Sequence, residues 1–337
     1  MGFEGLKMLS RVAESLFWMA RYVERAEDLT RLLAVNFISQ LDSHSGDAQQ
    51  SWQSLIGIAG HDKLFHDTYD EANVQSVTEF MLWGAENPNS VIACITNARE
   101  NARSTREQIS SEMWECINRM YFLIRNTSHS EVLTNPTEFF HQVRDRTHAF
   151  QGITSATMTH SEPYQFIQLG LHLERADKTA RIIGVNYLPL VQLTGGSAES
   201  SLGLITLLRF CSAFEPYRRT VAGQISPESV AEYLLLNREF PRAVLFCLNA
   251  CLNRLARIGD GASNATKSDS PRRALGRLEA DLEYLDIHDV LGENMEPFLS
   301  NFLVRLNHVG EEIARTYFNT NIILPDERPR QQQQQQQ

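Results

Sequence analysis

The chain lacks the cysteine pattern of a secreted or zinc-binding protein. It has five cysteines in 337 residues, and all lie within apolar runs without the paired spacing of a disulfide framework or a zinc site. Cys247 and Cys251 are four residues apart and share a helix face, but no second pair accompanies them. We therefore expect a reduced, cytoplasmic protein with no metal site.

Long hydrophobic runs and excess positive charge are also missing. No window approaches the roughly 18 uninterrupted apolar residues of a membrane-spanning helix, and the N-terminus has no apolar core or cleavage site of a signal peptide. The formal net charge is -10 at pH 7. Neither a nucleic acid nor a membrane is therefore an expected partner.

Motifs for nucleotide binding and nucleophilic catalysis are absent as well. The sequence has no Walker loop, no G-x-G-x-x-G and no G-x-S-x-G. It has one Glu-x-x-His, from Glu138 to His141, whereas a helical di-iron site needs two of these and two further glutamates. We expect no intrinsic cofactor, and any nucleotide chemistry would have to come from a partner.

What the sequence does contain is an internal repeat. The stretch ARYVERAEDLTRLLAVNF, Ala20 to Phe37, aligns without a gap with GLHLERADKTARIIGVNY, Gly170 to Tyr187. The matched charged residues are Glu24 with Glu174, Arg25 with Arg175, Glu27 with Asp177 and Arg31 with Arg181. This many charged matches indicate a duplication.

A second match lies at a different offset. Pro88-Asn89-Ser90-Val91 resembles Pro227-Glu228-Ser229-Val230, and an Arg-Glu-x-x-Arg follows each at the same distance. We therefore predict two halves on one plan, 1–155 and 156–320, packed about a pseudo-twofold axis. The glutamine-rich segment 321–337 is predicted to be a disordered tail.

Apolar spacing predicts an all-α fold of long helices. One helix is expected from Ser10 to a break at Gly46-Asp47, and another runs unbroken from Ser90 to about Arg125 as the longest of the first half. A helix from Thr137 to about Phe150 is followed by the connection between the halves, Gly152 with the Ser/Thr-rich stretch TSATMTHSE. Further predicted features are helices at Val74–Trp83, Pro163–Tyr187, Leu202–Phe210, Pro227–Ile258 with a kink or boundary at Pro241, Arg272–Leu285 and Met295–Phe318, a turn at Gly195-Gly196, and a loop over Gly259–Ser270.

The charged residues of the repeats are the candidate site. Glu24, Glu27 and Arg31 fall within about 60° of one another on the border of the apolar stripe, which predicts partial burial. One interpretation is structural, with ion pairs that fix helix register. The other is convergence on one cleft, where arginines grip a carboxylate, phosphate or peptide-like ligand. The candidate ligand-binding residues are Glu24, Arg25, Arg31, Arg99, Glu100, Arg103, Glu174, Arg175, Arg181, Arg238, Glu239 and Arg242.

Four segments carry a resemblance to a known family. They are MLSRVAESLFWMARYVERAEDLTRLL, NARENARSTREQISSEMWE, LHLERADKTARI and LLLNREFPRAVLFCL. The chain resembles the bacterial alpha-E proteins, named for their Glu-Arg motif, up to about Phe318. The resemblance implies an all-helical fold, with Glu24-Arg25 and Glu174-Arg175 at the motif positions.

The resemblance also implies a setting. Alpha-E proteins are encoded beside, or fused to, circularly permuted ATP-grasp proteins, which join carboxylates to amines. A helical subunit of an amide-forming or peptide-forming system is therefore expected, with ATP and Mg²⁺ bound by the partner. An independent enzyme that uses Glu24 or Glu174 as a general base and a purely structural scaffold remain alternatives. Ligand binding or catalysis predicts a solvent-accessible cavity lined by the charged clusters, and scaffolding predicts dry, fully paired bridges.

Overall fold

The computed structural model describes residues 10–42, 48–192, 198–221, 223–259 and 270–318. Within these ranges the chain forms fifteen α-helices and no β-strand, so the prediction of an all-α fold is confirmed. The predicted helix break at Gly46-Asp47, the Gly195-Gly196 turn, most of the loop after Gly259 and the glutamine-rich tail lie outside the described residues.

The helix bounds are as follows. The first eight are α1 (Ser10–Asp42), α2 (Ala48–Ala59), α3 (Asp62–His66), α4 (Val74–Leu82), α5 (Val91–Ser104), α6 (Ser111–Asn126), α7 (His129–Thr134) and α8 (Pro136–Thr157). The other seven are α9 (Glu162–Gln192), α10 (Ala198–Phe210), α11 (Phe214–Thr220), α12 (Pro227–Leu236), α13 (Val244–Ile258), α14 (Pro271–Glu283) and α15 (Met295–Ile313). Short 3₁₀ turns precede α15, and a π-helical turn extends it to Phe318.

Helices α1 and α9 are the longest and pack against each other in the middle of the bundle. Helix α1 has neither glycine nor proline, and its apolar residues recur every three or four positions, as Leu16, Met19, Val23 and Ala26 show. Helix α9 is buried on almost every side, and even its charged motif lies inside. The two copies of the repeat therefore face each other.

The other helices surround this pair in the same way in both halves. In the first half, α1, α5, α6 and α8 pack in a closed ring, each against the next and α8 against α1. Helices α9, α13, α14 and α15 form the same ring in the second half, while α2 contacts α9 and α10 contacts α1. The two-repeat organisation stays a prediction, and this equivalence of packing supports it.

The helix predicted from Ser90 to Arg125 is wrong, because the structure divides it into α5 and α6. The hydroxyls of Ser104 and Thr105 both donate to the carbonyl oxygen of Asn101, at 2.9 and 2.8 Å, and the Ser110 side chain caps α6. Hydroxyl side chains that bond to nearby backbone compete with the helix, so it can end without glycine or proline. The longest helix of the first half is α1.

The predicted connection between the halves begins too early, since Gly152 lies within α8, but the observed turn falls in the Ser/Thr-rich stretch that follows it. The chain leaves that helix only after Thr157 and enters α9 at Glu162. A glycine in a helix costs about 1 kcal/mol relative to alanine but does not end it when the surrounding residues stay helical.

The second sequence match pairs segments that are not equivalent in the structure. Pro227 is the first residue of α12, whereas Pro88 lies three residues before α5, as Pro241 does before α13. The correct counterpart of Pro88 is therefore Pro241. An alignment that pairs Pro88 with Pro241 also pairs α4 with α12, and both of these helices begin with a capping box. The predicted boundary at Pro241 is confirmed.

A glycine sets how closely the two central helices approach. A Cβ atom added at Gly170 would lie 2.3 Å from the carbonyl oxygen of Phe17. We expect Gly170→Ala to lower the free energy of unfolding by about 2–3 kcal/mol, because backbone must move. Urea denaturation measures this. Gly152→Ala is the matched control, since its Cβ would meet nothing within 4 Å. This substitution should raise the free energy of unfolding by about 0.5–1 kcal/mol. Equal effects of the two substitutions would contradict the close crossing.

Candidate functional site

The two Glu-Arg motifs bind each other across the α1–α9 interface. The Nε atom of Arg25 donates to Glu174 Oε1 at 2.7 Å, and Nε of Arg175 donates to Glu24 Oε1 at 2.7 Å. Each glutamate is fully buried and each pairing is reciprocal. The first cluster consists of Glu24, Glu27, Asp28, Arg31, Arg175 and Arg242, and the second cluster consists of Arg21, Arg25, Glu174, Asp177, Lys178 and Arg181.

Arg242 is the centre of the first cluster. It comes from the turn before α13, and its Nη1 atom donates to Glu24 at 2.9 Å and to Asp28 at 3.1 Å. Its Nη2 atom donates to Glu27 at 2.8 Å. One oxygen from each carboxylate lies within 4.8 Å of the others, a spacing compatible with a metal ion. The guanidinium occupies the place of a cation among these oxygens, so the residues present do not fit a metal.

Gln151, which is uncharged, extends the first cluster, and Arg31 adds bonds within it. Gln151 of α8 donates to Glu24 at 2.8 Å and accepts from Arg175 at 3.0 Å. Arg31 donates to Glu27 at 3.1 Å and also bonds to Asp28. The first cluster thus joins α1, α8, α9 and the start of α13.

The second cluster is built around Glu174. Arg21 donates to its Oε2 atom at 2.7 Å, while Arg25 grips both oxygens and also donates to the side-chain oxygen of Asn89. Asn89 Nδ2 lies 2.7 Å from His61 Nε2. The second cluster therefore reaches the turn after α2 and the residues before α5.

Burial and the neighbouring cations shift the pKa values of the carboxyl groups in opposite directions. Burial alone would raise the pKa of Glu174, but Arg25 and Arg21, helped by Lys178, outweigh it and hold the pKa well below its ordinary value. For Glu27, burial is outweighed by Arg242 and Arg31, which lower the pKa to about 2. A carboxylate that remains ionised at such low pH is a weak general base.

Five of the twelve predicted residues lie away from both clusters. Arg99 donates to Asn118 at 2.6 Å, and Glu100 pairs with the exposed Arg103. Arg238 is 65% exposed and pairs with Glu283, and Glu239 is exposed. The structure therefore does not bring all the charged motifs to one cleft. The seven that belong to the two clusters are Glu24, Arg25, Arg31, Glu174, Arg175, Arg181 and Arg242.

Sequence reasoning missed several members of the clusters. Asp28 and Lys178 occupy matching positions of the repeat, and a comparison of their opposite charges could have revealed them. The corrected alignment likewise matches Asn89 of the first repeat with Arg242 of the second. Gln151 and Arg21 have no sequence signal, because their role depends on how α8 and α9 pack.

The cysteines are buried and unreactive. All five cysteines are free and buried. Burial raises the pKa of Cys94 to about 12 and that of Cys247 to about 12, so both are thiols at neutral pH.

An open groove of about 590 Å³ lies between α6 and α8. It is lined by Glu112, Glu115, Cys116, Arg119, Arg146, Ala149, Gly152, Ile153, Ala156 and Thr157. None of the twelve candidate residues lines it.

His172 is a buried structural histidine. Its Nδ1 atom lies 2.7 Å from the carbonyl oxygen of Gln168, and burial together with Arg175 lowers its pKa to about 4. Below about pH 6.5 the unfolded chain binds a proton at this ring, whereas the native state does not. The free energy of unfolding therefore decreases as the pH decreases. Between about pH 6.5 and 4.5 we expect a loss of about 2–3 kcal/mol in urea titrations.

The matched variant for this pH dependence is His172→Gln. It removes the titrating ring and should flatten the stability curve over the same window. If the variant and the wild type lose stability in parallel between about pH 6.5 and 4.5, another group causes the loss.

Fold and site together define an all-helical domain whose Glu-Arg motif is an interior, reciprocal ion-pair network. A family model described as "a predicted alpha-helical domain with a conserved ER motif" matches residues 8–318. The chain belongs to this family, Alpha-E. No helix among the described residues has the length and hydrophobicity required to cross a membrane.

The chain is also similar to three uncharacterized mycobacterial proteins. One is from Mycobacterium bovis and two are from strains of Mycobacterium tuberculosis, each 23% identical over 336 residues. The match covers 94% of this chain but 37% of each relative, so the chain spans little more than a third of their length. No solved structure matches the chain.

Proposed function

We propose that the chain is the helical partner of a circularly permuted ATP-grasp ligase in ATP-dependent amide or peptide bond formation. The observation that carries this proposal is the relatives' length: the same domain makes up 37% of a longer protein. A domain that recurs within longer chains is suited to act together with a neighbouring domain. The family resemblance supplies the identity of the neighbour, and ATP and Mg²⁺ would bind there.

The Glu-Arg network supports a framework role within such a complex. It ties α1 to α9 and reaches α8 and α13 through Gln151 and Arg242. Ion pairs buried in this way demand one geometry, because a shift would strand charges in the interior. The domain can therefore present its outer helices to a partner in fixed positions.

Independent catalysis is the less favoured alternative. The interior carboxylates are paired with arginines, the pKa of Glu174 is lowered by Arg25 and Arg21 against the effect of burial, and the described cysteines are buried thiols. These groups are stabilised in forms that neither accept protons readily nor attack a substrate. The pairing instead favours the scaffold alternative for the first cluster, where buried ion pairs link α1, α8 and α9 to the turn before α13. Binding of a carboxylate or peptide-like ligand is retained for the second cluster alone.

The test is co-expression with the circularly permuted ATP-grasp protein, followed by size-exclusion chromatography with light scattering. We expect one complex, and ATP consumption that depends on added amino acids or short peptides. A chain that elutes alone, with ATP consumption unchanged by its presence, would overturn the proposal. Amide or peptide turnover by the isolated chain would favour the enzyme alternative.

Two variants distinguish a structural role of the Glu-Arg network from a direct role in the reaction. Arg175→Ala should lower both the melting temperature and the yield of complex, because it opens the interior network. Arg119→Ala is the control, since Arg119 is 73% exposed and pairs with Glu115 on the surface. If Arg175→Ala abolishes ATP turnover while complex and melting temperature stay unchanged, the clusters belong to the reaction itself.

A further inference from the structure

The two clusters have different charge balances. The first cluster contains three carboxylates and three arginines. The second contains the carboxylates of Glu174 and Asp177 against four cations: Arg21, Arg25, Lys178 and Arg181. The second cluster thus carries two positive charges in excess, within a region shielded from water.

Two differences between the repeats raise the positive charge of the second cluster. Lys178 occupies the position that Asp28 has in the first repeat, and Arg21 stands where the other repeat has Leu171. Asn89, in the position of Arg242, removes one cation and offsets part of this gain. A duplicated ion-pair network has therefore been balanced in one half and left cationic in the other.

Lys178 is the side chain that this imbalance leaves without a close partner. It is 7% exposed, and its Nζ atom approaches Asp177 Oδ2 at 3.8 Å, too far for a hydrogen bond. No hydrogen bond joins Nζ to any described residue. A buried ammonium group normally has a hydrogen-bonded counterion, because desolvation of an unpaired charge is costly.

Arg181 lies one turn further along α9, at the partly exposed edge of the second cluster. It donates to Asp177 through Nε at 2.9 Å, while its two Nη atoms donate to no described residue. Its side chain is 29% exposed and lies against the turn at Gly60, where an added Cβ would be 3.3 Å from Arg181 Nη1. Arg181 therefore places free donors beside Gly60, at the partly exposed edge of the second cluster.

We propose that the second cluster is a binding site for a small oxyanion, a carboxylate or phosphate group, held by Lys178 Nζ and the Nη atoms of Arg181. The group would balance the excess positive charge and give the ammonium the hydrogen-bonded counterion that Asp177 does not provide. Asp177 and Glu174 limit the site to one such group, because they already use Arg181 Nε, Arg21 and Arg25. This inference deepens the ligand-binding part of the proposed function and requires no ATP-grasp partner.

The test is thermal unfolding of the isolated full chain in inorganic phosphate, in acetate, and in chloride at matched ionic strength. We expect phosphate or acetate at saturating concentration to raise Tm by about 5 °C over chloride. A response to phosphate alone assigns a phosphate group, and a response to acetate alone assigns a carboxylate. If neither exceeds chloride, the proposal is overturned.

Lys178→Met separates a binding role from a structural one. It should abolish the anion-dependent rise in Tm, and in chloride its Tm should equal or exceed that of the wild type, since a poorly paired buried charge has been removed. Arg119→Gln removes the same charge from an exposed site and should keep the full anion response. An anion response in Lys178→Met equal to that of the wild type would contradict the proposal.

Arg181→Gln provides the test if Lys178→Met does not fold. Its side chain is part-exposed, and we expect anion affinity measured by calorimetry to fall at least tenfold. Unchanged affinity would overturn the site. Because these measurements use the chain alone, a negative result here leaves the outcome of the co-expression experiment unaffected, and the reverse also holds.

Discussion

Replacement of Arg242 by methionine should lower the free energy of unfolding by about 3–5 kcal/mol. The guanidinium bonds to Glu24, Glu27 and Asp28, which are at most 1% exposed. Without it, three carboxylates share one interior region with Arg31 and Arg175 as their remaining counterions. Methionine fills much of the same volume, so the loss would report charge rather than a cavity.

The matched control is Arg238→Met, four residues earlier in the same connection. Arg238 is 65% exposed and its ion pair with Glu283 lies at the surface, so we expect a change within about 0.5 kcal/mol. Urea denaturation at neutral pH compares the two directly. Similar losses would show that the connection before α13 tolerates neither substitution, and that burial of Arg242 is not the cause.

Glu174→Gln should cause the second large loss in the free energy of unfolding. The carboxylate is fully buried and accepts from Arg21 and from both nitrogens of the Arg25 fork. Glutamine keeps the shape but removes the charge, leaving the second cluster with one carboxylate against four cations. We expect a loss of about 3–5 kcal/mol in urea denaturation.

Glu100→Gln is the control for that substitution. Glu100 pairs with Arg103, but its side chain is 44% exposed, and screening limits such a pair to at most about 1 kcal/mol. A Glu174→Gln protein as stable as this control would mean that the arginines around position 174 find other partners or water.

The sequence predicted the fold class because helical periodicity is local. The spacing of Leu16, Met19 and Val23 fixes which face of α1 is buried, whatever packs against it. The end of α5 was harder to predict, because it depends on hydroxyl groups that bond to Asn101 rather than on glycine or proline. Helix ends determined by side-chain hydrogen bonds leave a weaker pattern.

The candidate site was predictable only where the repeat aligned correctly. Charged residues at the border of the apolar stripe in α1 and α9 were expected to be partly buried, and the structure shows them inside. Prolines misled the second alignment, because proline occurs both in the first turn of a helix and in the turn before one. Arg99 and Arg238 are therefore predicted beside residues that they do not contact.

The excess charge of the second cluster could not be predicted from the repeat alone. Asp28 and Lys178 align, but whether a charge is compensated depends on long-range partners such as Arg242 and Asn89, which come from other helices. Repeated sequence predicts where charged residues recur. Only packing reveals which of them lack a hydrogen-bonded counterion.

A double-mutant cycle on Arg25 and Glu174 tests most directly whether the Glu-Arg motif holds α1 against α9. With Arg25→Met, Glu174→Met and the double variant, we expect a coupling free energy of about 2–3 kcal/mol in urea denaturation. The surface pair Glu115–Arg119 should give about 0.3–0.5 kcal/mol in the same measurement. If the losses of the two single variants add to within about 0.5 kcal/mol, the motif does not act as an interhelical bridge.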